Sequence, residues 1–189
     1  MPTIARRRFN HSLAVMLAAG LAVACSDDTP SGPTPQPTVA AQTTTTLPAG
    51  CERLQVAGSK LVFSAFARGV QIYRWDAGAW TQIAPLAKLY PDARATGVIG
   101  THYAGPTWET VSGDTLTGAV RERCAPSPDA IQWLLLDVAS NRGPGALQKA
   151  THIQRVHTVG GKAPTAPGTI PGETRGMEYT AEYLFYEAP

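Results

Sequence analysis

Beyond residue 50 the chain alternates short runs of β-branched and aromatic residues with Gly- and Pro-rich breaks. That is the signature of strands and turns; no long segment has helical periodicity. The runs fall at residues 61–67 (LVFSAFA), 70–75 (VQIYRW), 80–83, 98–104, 107–111, 115–121, 131–138 (IQWLLLDV), 151–158 (THIQRVHT) and 179–186 (YTAEYLFY). Residues 76–79 (DAGA), 112–114 (SGD) and 160–162 (GGK) read as turns, and residues 85–95 hold at most one helical turn before Pro91. In the last run Tyr179, Ala181, Tyr183 and Phe185 share one face by period two, and Glu178, Thr180 and Glu182 share the other. Residues 151–158 differ, because neither their even nor their odd positions are cleanly apolar. The expectation is an all-β single domain, a sandwich or barrel of eight to nine short antiparallel strands.

The first 50 residues follow another pattern. Arg6, Arg7 and Arg8 precede an apolar block over residues 12–24, which at 13 residues is well short of the roughly 20 that span a bilayer. A removable signal peptide over residues 1–24 fits this layout. Two cleavages are open: an ordinary one after Ala22-Val23-Ala24, and a lipobox ending at Cys25. Residues 26–50 are rich in Thr and Pro and carry too little apolar surface to offset ordering entropy. A Cys between an apolar block and such a tether favours lipidation of Cys25. The domains expected are therefore a signal at 1–24, a lipid-anchored tether at 25–50 and a β-rich domain at 51–189.

Charge and cysteine content change the picture in two ways. The chain has 16 Lys+Arg and 14 Asp+Glu; removing the three signal arginines leaves 13 against 14, so the basic balance belongs to the signal. No basic run remains that would suit nucleic acid. There are three cysteines, and lipidating Cys25 would leave Cys51 and Cys124 as an even pair. An oxidising compartment favours a disulfide between them, and two free buried thiols are the alternative.

Several segments together carry a resemblance: 69–73 (GVQIY), 100–109 (GTHYAGPTWE), 131–136 (IQWLLL), 153–156 (IQRV), 158–164 (TVGGKAP) and 179–186. In order and spacing they are similar to domain of unknown function family 3455, found in exported bacterial and fungal proteins. The resemblance covers nearly all of residues 58–187, and GTHYAGPTWE is its most specific block. Some fungal members are labelled malate dehydrogenase, but this chain has no dinucleotide glycine fingerprint and no cofactor is expected. Many members have one Cys just after the QIY block and another in the loop after GGxAP, which implies that the two pair. Here the first position is Trp75 and residues 162–177 hold no Cys.

Candidate chemistry centres on GTHYAGPTWE. His102 and Glu109 are the types an acid/base pair needs, with Tyr103 and Trp108 beside them. The plainer alternative is that Gly100, Gly105 and Pro106 shape a turn whose backbone binds His102. Within residues 151–158, Gln154, Arg155 and Thr158 would line a pocket or sit in a buried network. Arg155 suits a carboxylate ligand, and equally a structural pairing with Asp137. His102, His152 and His157 form no recognisable metal set, and no nucleophile elbow or phosphate loop occurs.

These readings combine into an exported, envelope-anchored lipoprotein. Its membrane contact is the lipid, at the outer membrane or cell surface, with a secreted or periplasmic form as the alternative. Its β-domain is expected to bind a small molecule or glycan near His102, Trp108 and Gln154, without catalysis. A hydrolase using His102 and Glu109 is the second expectation, and a structural envelope protein the third.

Overall fold

The alternation along the last strand is what closes the molecule. In the computed structural model, which describes residues 45–189, β8 (Thr174–Glu187) buries Tyr179, Ala181, Tyr183 and Phe185 and leaves Glu178 exposed. It pairs antiparallel with β7 (His152–Gly160) on one side and with β1 (Lys60–Asp76) on the other. Between them run β2 (Ala79–Tyr90), β3 (Gly100–Tyr103), β4 (Thr107–Thr110), β5 (Thr115–Cys124) and β6 (Trp133–Arg142). Each strand pairs with its neighbours in sequence, giving a closed eight-stranded antiparallel barrel. Closure leaves no free sheet edge. The proposed signal, Cys25 and most of the tether lie outside the described residues.

Strands β1 and β2 are longer than the sequence suggested. Runs 61–67 and 70–75 are one 17-residue strand, because Gly69 does not interrupt it. A Cβ at Gly69 would lie 2.1 Å from the carbonyl oxygen of Leu86, so glycine is what lets β2 approach so closely. The helical turn expected in residues 85–95 is absent: residues 85–90 extend β2, and Pro85 stands opposite Gln71 near the slip in register at Ile72 and Tyr73. The hairpin at residues 76–79 forms as expected, with Ala77 at φ 50° and Gly78 at φ 84°, the left-handed pair that matches strand twist.

Because the strands follow one another around the barrel, every odd-to-even connection lies at one end. The other end is filled by a short 3-10 turn, Ala146–Lys149, whose Leu147 is fully buried in the same core as Phe185, Leu116 and Ile153. Asp114, 1% exposed, accepts the Gly145 N–H there and holds the turn in place.

A second apolar cluster lies outside the barrel. Trp133 and Leu135 of β6, Val156 of β7 and Leu184 of β8 face outwards and are covered by Leu47, Cys51, Leu54 and Val56. A disulfide from Cys51 to Cys124, with Cα atoms 5.4 Å apart, fastens this cover to the end of β5. Both faces of β6 and β7 are therefore buried, which explains the continuous WLLL run and the lack of a clean face in residues 151–158.

Candidate functional site

At the end bearing the odd-to-even loops, the barrel interior opens into a cavity of about 860 Å³. Barrels of eight strands have an interior just wide enough to be filled by side chains or to hold one small ligand. Here one end is filled and the other is not, and the volume lies within the range of small-molecule sites.

One wall is aromatic. Strands β3 and β4 form a hairpin in which His102 pairs with Trp108, and both side chains turn inwards. The two rings stack, with centroids 4.3 Å apart and planes 12° from parallel. Tyr183 of β8 meets both edge-on, at 4.9 Å from His102 and 5.2 Å from Trp108. Gly118 of β5 makes the room: a Cβ there would be 3.3 Å from the Trp108 ring and 3.1 Å from Ile153.

His102 Nδ1 lies 2.7 Å from the Thr107 carbonyl oxygen. A carbonyl only accepts, so Nδ1 carries the hydrogen and the neutral ring presents Nε2 as an acceptor. Burial, reinforced by the positive charge of Arg155 and opposed by that backbone bond, lowers the His102 pKa to about 3. The ring is neutral at physiological pH.

The opposite feature is a cation. Arg155 of β7 projects inwards between its cross-strand neighbours, Tyr183 of β8 and Leu134 of β6. Its Nε and Nη2 both donate to the Gln132 carbonyl, at 3.1 and 2.8 Å. Among the described residues no carboxylate pairs with it. Its charge opposes the rise that burial imposes on the phenols of Tyr73, Tyr179 and Tyr183, which ring it. Among the described residues the cavity is lined by three cations, Arg123, Arg155 and Lys162, and by no Asp or Glu. Behind the lining, Trp108 Nε1 is buried without a hydrogen-bond partner, and the buried Tyr183 hydroxyl lies against Tyr179 and Arg155, both of which oppose the rise that burial imposes on it. Tyr73, on the cavity wall, is satisfied by the Gly161 carbonyl at 2.7 Å.

The structure gathers some of the residues named from sequence and disperses the others. His102, Trp108 and Arg155 share the cavity. Glu109 does not: it is exposed on the outer face, where it accepts from the Tyr103 hydroxyl at 2.9 Å. Successive strand residues point to opposite faces, so with Trp108 inward Glu109 must be outward. His102 and Glu109 are not an acid/base pair. Gln154, expected near the ligand, instead faces the outer cover, donating to the Leu54 carbonyl and accepting from the Tyr186 hydroxyl at 3.1 Å.

By strict alternation Thr158 would fall on the Gln154 face. A bulge between Val156 and Val159, with His157 at φ 49°, reverses the alternation. Thr158 is consequently buried and bonded to the Ile131 carbonyl. The Arg155–Asp137 pairing is not formed either: Asp137 lies outside with Arg121 at 3.3 Å and His152 at 3.5 Å. Among the described residues no three His, Cys, Asp or Glu side chains are grouped to hold a metal ion.

Sequence reasoning missed Tyr183, Arg123 and Lys162. Tyr183 had been placed on an inward face, but an inward tyrosine reads as core until the cavity it lines is seen. The sequence profile of the family described as "Protein of unknown function (DUF3455)" matches residues 56–187 of the chain. No curated protein and no solved structure matches it.

Proposed function

The chain belongs to the DUF3455 family, and from that premise we propose that its barrel is a non-enzymatic binding module holding a small molecule or glycan unit in the end cavity. The observation that carries this reading is a cavity of about 860 Å³ lined by a buried cation, Arg155, that has no carboxylate partner among the described residues. A buried cation without a counter-ion is costly, and a bound ligand carrying acceptors would relieve it. Binding is favoured over catalysis because, among the described residues, His102 Nδ1 is held by a backbone carbonyl and no carboxylate lines the cavity.

The same proposal includes the place of action. A chain exported by its first 24 residues and lipidated at Cys25 would present the barrel from the cell envelope. Intact-mass analysis of the membrane fraction tests this part: a mature chain without acyl groups overturns the anchor.

The binding reading is tested by native mass spectrometry of the full chain exposed to a small-molecule extract of envelope material. A retained species of a few hundred daltons is expected, and it should be lost when the wall is filled by Ala130→Trp, a buried lining position. No retained species, or equal retention by the filled variant, rules the cavity out as a ligand site.

A further inference from the structure

We infer that the ligand of this cavity is a hydroxylated organic monocarboxylate, with its carboxylate seated on Arg155 and its hydroxyl donating to His102 Nε2. The inference rests on the reading of the cavity as a ligand site and adds the chemistry of the occupant. It follows from charge, count and geometry.

Charge comes first. Arg155 is 9% exposed and pairs with no carboxylate among the described residues. A buried cation without a counter-ion is costly, and anions are what relieve it. Arg123 and Lys162, near the mouth, add a positive field without any lining acid. Such a field concentrates anions at the opening.

Count then limits the anion. Lys162 and Arg123 are both exposed, so water and salt screen their charge. One uncompensated cation therefore lies inside, which matches a single negative charge better than a phosphate dianion. The Nε–Nη2 edge of the guanidinium is held by Gln132, leaving the Nη1 hydrogens for a ligand oxygen.

Geometry supplies the remainder. His102, a lining residue whose Nδ1 hydrogen is taken by the Thr107 carbonyl, offers an acceptor at Nε2. A ligand hydroxyl can donate to it. A plain fatty acid has no donor for it, so the hydroxyl is part of the match.

The test is calorimetry on the full chain with two probes, D-glucuronate methyl glycoside and 4-hydroxybenzoate, each alongside its methyl ester. At least one acid is expected to bind at least tenfold more tightly than its ester, since a charge-assisted contact is lost on esterification. Arg155→Met should abolish that preference. Arg155→Lys, which keeps a cation at this position, should retain it in part. Equal binding of acid and ester, an unchanged preference in Arg155→Met, or inorganic phosphate competing as well as the acids would each overturn the carboxylate. In those cases the cavity remains a ligand site. Failure of both acids, with native mass spectrometry retaining a neutral species, likewise overturns the carboxylate alone. Failure of both acids with nothing retained removes the binding reading as well.

Discussion

The His102 imidazole lies flat on the Trp108 indole, 4.3 Å away, and this contact exists because residue 118 of the adjoining strand has no side chain. The stack sets one wall of the cavity, so its integrity reads out on both stability and ligand access. Gly118→Val should press on Trp108, Leu136 and Ile153, whose atoms would lie 3.1–3.3 Å from the first added carbon. Overpacking of this kind costs about 1–3 kcal/mol. Urea denaturation should show the loss, and near-ultraviolet circular dichroism should show a changed indole environment. An unchanged spectrum would mean that the wall is not built on this contact.

His102 also gives the barrel a pH dependence of defined sign. Its folded pKa is about 3, below the value of about 6.5 it has when unfolded. Between these values the unfolded chain binds the extra proton, so stability is complete above pH 6.5 and falls as the pH drops towards 3. The full contribution approaches 4–5 kcal/mol at about 1.4 kcal/mol for each pKa unit. Comparing the chain with His102→Gln at pH 6.5 and pH 5 isolates it, because the lowered carboxylates Glu173, Asp92 and Glu52 titrate further down. The histidine chain should lose more stability over that interval than the variant. Parallel curves would contradict the assignment.

What could be read from the sequence follows the physics of each strand. β8 was legible because one of its faces is core and the other solvent, so its alternation survives in the residues. β7 was not, because Arg155 faces the cavity, Gln154 faces the N-terminal cover and the bulge at His157 reverses the count. No local pattern encodes a cover supplied by Leu54, 100 residues away. The His102–Glu109 pairing failed for a related reason. The hairpin register puts His102 opposite Trp108, and a shift of one residue reverses the face.

Trp75 packs against Gly168 in the loop between β7 and β8, and Trp80 Nε1 donates to the Ala166 carbonyl at 2.8 Å, so aromatic side chains of the β1–β2 hairpin hold that loop. The cavity itself was invisible in sequence, since it is defined by where side chains end rather than by which ones they are.

The Cys51–Cys124 disulfide closes 73 residues of chain and holds the cover over Trp133, Leu135 and Val156. In the chain-entropy account such a loop contributes about 4 kcal/mol. Reduction, or the double substitution Cys51→Ser and Cys124→Ser, should lower stability by that order. It should also raise amide exchange around residues 47–56 before the barrel itself opens. Simultaneous loss of protection in both would show that the cover and the barrel unfold as one unit.

At the filled end, Asp114 and Gly145 form a pair whose energetics can be separated. The Asp114 carboxylate accepts the Gly145 N–H, and a Cβ on residue 145 would fall 1.8 Å from its second oxygen. Gly145→Ala must therefore displace the carboxylate and with it the 3-10 turn that seats Leu147. Asp114→Ala alone loses a hydrogen bond to a charged acceptor, about 1.5–3 kcal/mol. The double variant removes the collision along with the bond, so its cost should fall short of the sum of the two single ones by 1 kcal/mol or more, within the range of coupling for residues in contact. A double-mutant cycle by chemical denaturation measures that difference. Strict additivity would mean that the backbone relaxes around residue 145 without using Asp114, and the turn would then owe its position to Leu147 alone.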